Sequence, residues 1–246
     1  MLEGFGDLET LELDNCGLDD EAKHCSALRR FISGSIHSVD YNEFLRYFPE
    51  SESETYLKEE STHKNSNERT SQQNLVLDLS FNDLGPELDN LAGALKTNSF
   101  IHTLILRNNS INYPNIKHLA DGVLNSSIRH LDIGRNKYLT GSCEKRVIEP
   151  FNNLIIRSRL TKLTMDSCDI TNSFAKNLAL AIRPGSSLKH LDLSNNNCCS
   201  AETLRTFISA SKKSHLKSVK LSIPTSNEEI RNLENELKES LSLNSD

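Results

Sequence analysis

Residues 77–84 read LDLSFNDL, and this stretch decides the fold because its pattern recurs along the chain. Leu77 and Leu79 alternate with polar residues, as they do in a short strand that buries one face. Asn82 follows three positions after Leu79, and Leu84 comes two positions later. In the more complete copies another apolar residue precedes the strand, so that the full pattern is L-x-x-L-x-L-x-x-(N or C)-x-L.

The pattern occurs eight times at a nearly constant spacing. Its third apolar position falls at residues 13, 41, 79, 106, 133, 165, 193 and 221, which gives steps of 28, 38, 27, 27, 32, 28 and 28 residues. The second copy is imperfect, because Phe44 stands at the Asn or Cys position and Arg46 at the last apolar one. Cys16 and Cys168 take the Asn position in two other copies, where we expect both to be structural. A period of this length is typical of solenoid proteins, in which each unit packs on its neighbours.

These motifs resemble the leucine-rich repeats of the ribonuclease-inhibitor type, with units of about 28 residues, and the resemblance runs from Leu8 to Leu221. It implies an α/β fold of about eight repeats. The solenoid would be a horseshoe with parallel strands on its concave face and helices on its convex face. Apolar residues at helical spacing within residues 172–184 and 200–211 support the helices. The Asn and Cys side chains are expected to bond buried backbone groups of neighbouring turns.

The solenoid is predicted to span residues 1–225, with a polar insertion at about residues 49–73. The insertion is rich in Glu and is a tolerated surface loop, a binding loop or a phosphorylation target. Residues 226–246 are predicted to form an amphipathic helix, because Ile230, Leu233, Leu237 and Leu241 recur at helical spacing. This helix either caps the last repeat, whose core would otherwise be open, or binds a partner.

Composition narrows the class of partner. The formal net charge of -6 and the pI near 5.8 argue against generic nucleic-acid binding and favour a basic protein partner. The sequence shows no membrane-spanning stretch, no signal peptide and no C-x-x-C pair among its six cysteines, and it predicts a cytoplasmic protein without metal or cofactor. Because the N-terminal edge lacks a cap, we expect a monomer or weak self-association through that edge.

The solvent-facing strand positions form the predicted concave binding surface. One row contains five carboxylates among its eight residues, so it either steers a basic partner or only solvates the sheet. Phe81 stands at a position that is usually polar and is the expected anchor for a partner. The predicted partner-binding residues are Glu12, Asp40, Asp78, Phe81, Arg107, His130, Asp132, Arg135, Lys162, Asp166, His190 and Asp192.

The predicted function is the non-catalytic binding of a partner protein through the concave face. The sequence has no Gly-rich phosphate loop, HExxH helix or GxSxG elbow, and no catalytic residue is predicted. The resemblance extends to ribonuclease inhibitors, Ran-type GTPase activators, actin-capping tropomodulins, innate-immune receptor repeats and effectors that intracellular bacteria inject into host cells. It therefore implies three alternatives: an effector in the host cytosol, an actin-capping protein, or a GTPase activator that uses Arg107, Asn108 or Arg135.

Overall fold

The computed structural model describes residues 75–85, 88–140, 144–224 and 227–244, together with the backbone of residues 10–12. Strands and helices alternate within these ranges. The strands are β1 (Thr10–Glu12), β2 (Leu75–Asp78), β3 (Ile101–Ile105), β4 (His130–Asp132), β5 (Lys162–Thr164), β6 (His190–Leu193) and β7 (Ser218–Leu221). The helices are α1 (Leu88–Leu95), α2 (Tyr113–Leu124), α3 (Glu144–Arg157), α4 (Asn172–Ala181), α5 (Ala201–Ser211) and α6 (Glu228–Ser242).

The described strands form one parallel sheet of seven, in the order of the sequence. Each connection from β2 to β7 passes through a helix, as parallel neighbours require. The register aligns the same apolar position of every repeat from β2 onward, namely Leu77, Leu104, Leu131, Leu163, Leu191 and Val219. The α/β class and the predicted parallel pairing of the segments at 77–79 and 104–106 are confirmed.

The helices cover one face of the sheet and leave the other open. Neighbouring helices pack side by side in chain order, and their apolar residues share one core with the strands. In α4, Phe174 and Leu178 are buried as their spacing predicts, and Phe174 packs edge-on against Phe151 of α3 with ring centroids 5.5 Å apart. On the strands, His130 and Lys162 are exposed while the residues that follow them are buried. The exposed strand residues therefore lie on a face that no described helix covers.

Asparagine side chains tie successive repeats together after β3, β4 and β6. Asn136 Oδ1 accepts the backbone N–H groups of Asn109 at 2.9 Å and Ile111 at 3.0 Å, both from the preceding repeat. Its Nδ2 donates to the carbonyl oxygen of Leu106 at 3.0 Å. Asn109 and Asn196 make the equivalent bonds in their own repeats. Because an unpaired buried backbone group is costly, this ladder specifies how each repeat stacks on the next.

Cys168 takes the place of the asparagine in its repeat. Its Sγ donates to the carbonyl oxygen of Ile133 at 3.3 Å, and its backbone N–H donates to Asn196 Oδ1 at 2.8 Å. Burial raises the pKa of the Cys168 thiol to about 12, so the sulfur keeps the proton that it donates. The structural role predicted for Cys168 is confirmed, whereas Cys16 lies outside the described residues.

The predicted count of about eight repeats stays a prediction, because most of the chain before Leu75 lies outside the described residues. β1 pairs with β2, and Leu11 stands opposite Leu77. The second predicted repeat, around residues 36–46, lies outside the described ranges.

The last helix, α6, packs against α5 and buries Ile230, Leu237 and Leu241. It begins after Asn227, whose Oδ1 accepts the N–H of Ile230 at 3.2 Å. Its outward face is polar, as a cap requires, but its role as a cap and the boundary near residue 225 stay predictions. The predicted insertion at residues 49–73 lies outside the described part of the chain.

Candidate partner-binding surface

Two rows of side chains cross the open face of the sheet, about 4.8 Å apart from strand to strand. The register aligns the first row as Val76, Thr103, His130, Lys162, His190 and Ser218. It aligns the second row as Asp78, Ile105, Asp132, Thr164, Asp192 and Lys220. Six of the predicted binding residues therefore share one surface: Asp78, His130, Asp132, Lys162, His190 and Asp192.

The other predicted binding residues lie on β1 or just beyond the strand ends. Asp40 lies outside the described residues. The rest are Glu12 on β1, Phe81 after β2, Arg107 after β3, Arg135 after β4 and Asp166 after β5.

Arg107 joins two carboxylates from the next two strands. Its Nη1 donates to Asp132 Oδ1 at 2.8 Å and Oδ2 at 2.9 Å, and its Nη2 donates to Asp166 Oδ2 at 2.9 Å. The exposed fractions of the three side chains are 23% for Arg107, 25% for Asp132 and 13% for Asp166. We call this group the arginine lock, because one guanidinium links three successive repeats.

Gly134 makes the lock possible. Gly134 follows β4 and aligns with Arg107, which follows β3 in the preceding repeat. The Arg107 side chain passes over Gly134 to reach Asp166. A Cβ atom at Gly134 would lie 2.6 Å from Arg107 Nη1 and would also collide with the Asp166 carboxylate. The absence of a side chain at this position therefore creates the space for the guanidinium.

The pKa values within the lock show two opposing effects. The hydrogen bond to Asp166 raises the pKa of Arg107 above its ordinary value, against the effect of burial. Burial raises the pKa of Asp132 and outweighs the Gly134 N–H and Arg107, which both lower it. The cost of burying Asp132 thus offsets much of its attraction to Arg107.

The strand aspartates are less open to solvent than the sequence suggested. Asp78, Asp132 and Asp192 each accept the backbone N–H two residues later through Oδ1, at 2.9, 2.9 and 3.0 Å. Asp192 also forms an ion pair with Lys220 at 3.1 Å and is 19% exposed. Asp132 and Asp192 lie on the open face and are partly exposed, but each one closes a turn and pairs with a cation. A continuous negative stripe therefore does not exist on β4 to β6.

The C-terminal half of the open face carries a depression of about 380 Å³. It is lined by His130, Lys162, His190, Leu191, Asp192, Ser218 and Lys220. We call it the basic depression, because Asp192 is its one carboxylate and is already paired with Lys220. His190 Nδ1 lies 2.9 Å from Ser218 Oγ, which fixes the orientation of the imidazole. The depression spans four adjacent strands, from β4 to β7.

The pKa values of the two histidines are lowered by burial and by the positive charge of this surface. Burial, Lys162 and His190 lower the pKa of His130 from its ordinary value. Burial lowers the pKa of His190 as well, and Lys162, Lys217 and Lys189 lower it further. Both imidazoles thus resist protonation, first because they are partly buried and further because neighbouring groups are cationic.

The loops after the strands add an exposed rim. Phe81 and Arg135 have positive φ values of 60° and 59°, a conformation that is uncommon for residues with a side chain. Phe81 is 45% exposed, in agreement with its expected exposure. Tyr138, which the sequence did not single out, is 73% exposed in the loop after β4.

Three features of the surface were missed in the sequence. Gly134 is not among the predicted residues, although it stands at a position where the neighbouring repeats have polar residues, namely Ser80, Arg107, Asp166 and Ser194. Ser218 and Lys220 were left out of the predicted set, although the 28-residue spacing places them beside His190 and Asp192. Alignment of the repeats alone could have found all three.

Among the described residues, no cluster of three or more His, Cys, Asp or Glu side chains could hold a metal ion. No helix in the same ranges is long and apolar enough to cross a membrane.

Comparison with known proteins identifies the repeat. Residues 187–208, which include β6 and most of α5, match the family model described as Leucine Rich Repeat. The chain thus contains a leucine-rich repeat, and the other repeats share its register. No curated protein sequence matches the chain.

Several solved structures resemble the chain. The tropomodulin C-terminal domain of Caenorhabditis elegans gives a TM-score of 0.39 at 14% identity, over 70% of this chain and 86% of that one. Actin-binding site 2 of leiomodin-1 gives 0.36 at 13% identity, over 65% and 73%. TLR13 in complex with ssRNA13 gives 0.34 at 25% identity, over 52% of this chain and 17% of that chain.

Proposed function

We propose that the chain is a non-catalytic interaction module that binds a partner protein through the open face of the sheet. The observation that carries this proposal is the basic depression, which lies on the face that the described helices leave uncovered. Its lining consists of polar and charged side chains, apart from Leu191, whose own side chain is buried in the core.

We further propose that the repeats are of the ribonuclease-inhibitor type and form a horseshoe with its sheet on the concave face. The steps of 27 to 32 residues between the third apolar positions of the later repeats support this type. Every connection from β2 to β7 contains a helix, which also supports a horseshoe. A helix is wider than a strand, so neighbouring repeats are farther apart on the helical side than on the sheet side.

The alternative functions stay predictions. A GTPase activator would need an arginine that is free to reach a bound nucleotide, but Arg107 is held by Asp132 and Asp166. Among the residues named for this role, Arg135 and Asn108 are exposed. No observation on the described residues favours the actin-capping or effector alternatives over the general one, and the cytoplasmic location is likewise a prediction.

Photo-crosslinking tests the proposed face. The photoreactive amino acid p-benzoylphenylalanine replaces Val76 or Thr103 on the open face, or Leu180 on α4, which is 61% exposed on the helical side. These positions leave every lysine of the basic depression intact. After irradiation in lysate, we expect adducts of defined mass from the two sheet positions and none of the same mass from Leu180. Adducts that form only at Leu180, or equally at all three positions, would contradict the proposal.

A further inference from the structure

We infer that the basic depression binds an acidic segment of the partner protein, extended and rich in Glu or Asp. This inference rests on the proposed function, because it names the chemistry of the partner at the same face. It reverses the basic partner that the overall charge and the row of aspartates suggested.

The local charge balance supports an acidic ligand although the chain as a whole is acidic. Lys162 stands between His130 and His190 in the first row, and Lys220 flanks them in the second. Lys189 and Lys217 lie close enough to affect the pKa of His190. The neighbouring carboxylates neutralise only part of this charge, because Asp132 is paired with Arg107 and Asp192 balances Lys220, whereas none of the ion pairs among the described residues involves Lys162.

The spacing of the cations fits a chain of carboxylates. Lys162 on β5 and Lys220 on β7 lie two strands apart and two residues apart along the strand direction, so their Cα atoms are separated by roughly 12 Å. In an extended peptide, acidic side chains on the same side and four residues apart are separated by roughly 13 Å. An extended acidic segment that crosses the strands can therefore place one carboxylate near each lysine.

A single phosphate group is a poorer match for this lining. Proteins usually hold phosphate with converging arginine side chains or with free backbone N–H groups. The residues that line the basic depression include no arginine. The central strands, β5 and β6, pair with a neighbour on both sides, so their N–H groups do not converge on one point.

The histidines should make this binding dependent on pH. The groups that face them are Asp132 beside His130 on β4, Lys162 on β5, Asp192 and Lys189 on or beside β6, and Lys217 and Lys220 on or beside β7. Carboxylates of the ligand would oppose the lysines and favour the protonated imidazoles. Affinity should therefore rise as the pH falls through and below the ordinary imidazole value of about 6.5, while the Glu side chains of the ligand stay ionised.

Fluorescence anisotropy with synthetic peptides tests the inference on the full chain. The probe is a fluorescein-labelled peptide of ten residues with alternating Glu and Ser, and three matched peptides carry Gln, Lys or phosphoserine in place of Glu. We expect the Glu peptide to bind, to weaken with added salt, and to bind about tenfold more weakly to Lys162→Glu, since that change replaces an attraction with a repulsion. Lys213→Glu is the control, because Lys213 is an equally exposed lysine that does not line the depression.

A second pair of variants tests the role of the histidines. The double variant His130→Gln/His190→Gln should lose the gain in affinity for the Glu peptide that the unchanged chain shows on acidification. The inference is overturned if the Lys or phosphoserine peptide binds in preference to the Glu peptide, or if Lys162→Glu and Lys213→Glu weaken binding equally. If the Glu peptide fails while crosslinks still map to Val76 and Thr103, the acidic segment is rejected and the binding face stands.

Discussion

The arginine lock and the basic depression occupy neighbouring parts of the same sheet face, but they differ in whether their charged side chains are paired within the protein. In the lock, Arg107 reaches over Gly134 and satisfies Asp132 and Asp166 within the protein. In the depression, Lys162 is exposed, and burial together with its charge lowers the pKa of His130. Charged residues on the same face of the sheet can therefore either stabilise the stack or remain available to a partner. The neighbouring strands decide which of these occurs.

The largest expected effect comes from breaking the lock. Arg107→Met leaves Asp132 and Asp166 close together, partly buried and without their cation. We expect a loss of about 2 kcal/mol in the free energy of unfolding, less than for a fully buried pair because the side chains are partly exposed. Chemical denaturation measures this loss. A change below about 0.5 kcal/mol, the range of ordinary surface substitutions, would show that the lock is only a surface contact.

A smaller effect should come from filling the space that the lock uses. Gly134→Ala places a methyl group against Arg107 and Asp166, and we expect it to destabilise the chain by about 1 kcal/mol. In the Arg107→Met background the loss should be smaller, because the contact with Arg107 is gone and the Asp166 carboxylate, no longer held by the guanidinium, can turn away from the methyl group. The double-mutant cycle measures this coupling. Equal effects in both backgrounds would mean that Gly134 serves a purpose other than making room for the guanidinium.

Lys162→Met is the matched test in the depression. Lys162 is exposed, so its replacement should change the free energy of unfolding by no more than about 0.5 kcal/mol. The same denaturation experiment compares it with Arg107→Met. A loss as large as that of Arg107→Met would contradict the view that the depression retains its charge for a partner.

The smallest expected effect is on the dependence of stability on pH. Because the pKa values of His130 and His190 are lowered in the folded chain, the unfolded chain binds more protons at these residues. Their contribution to stability is present above the ordinary imidazole pKa and is lost as the pH falls through the lowered values. Denaturation curves at several pH values should show this decline below about pH 6.5, and His130→Gln/His190→Gln should lessen it. A decline of the same size in the double variant would assign it to other groups.

The fold could be predicted from the sequence because each repeat has the same pattern of apolar and polar positions. Leucines at a period of two predicted the strands, and the Asn or Cys position predicted the ladder that Asn136 and Cys168 form. The second repeat, around residues 36–46, stays a prediction, because it lies outside the described residues.

The surface was less predictable than the fold. Position in the repeat correctly placed His130, Lys162 and His190 side by side, but it could not show how charges pair across strands. The Arg107 side chain crosses a whole repeat to reach Asp166. It can do so because Gly134 has no side chain, and the repeat pattern does not predict this contact. Counting carboxylates in a row therefore gave the wrong local charge, because it ignored the cations that the fold brings to them.

The central claim is that a partner protein covers the basic depression, and lysine acetylation can test it directly. The chain is treated with an acetylating reagent alone and with the partner identified by crosslinking, and each lysine is read by mass spectrometry. We expect the partner to protect Lys162 and Lys220 and to leave Lys212 and Lys213, which follow α5, as reactive as before. Protection of Lys212 and Lys213 with unchanged Lys162 and Lys220 would contradict the account.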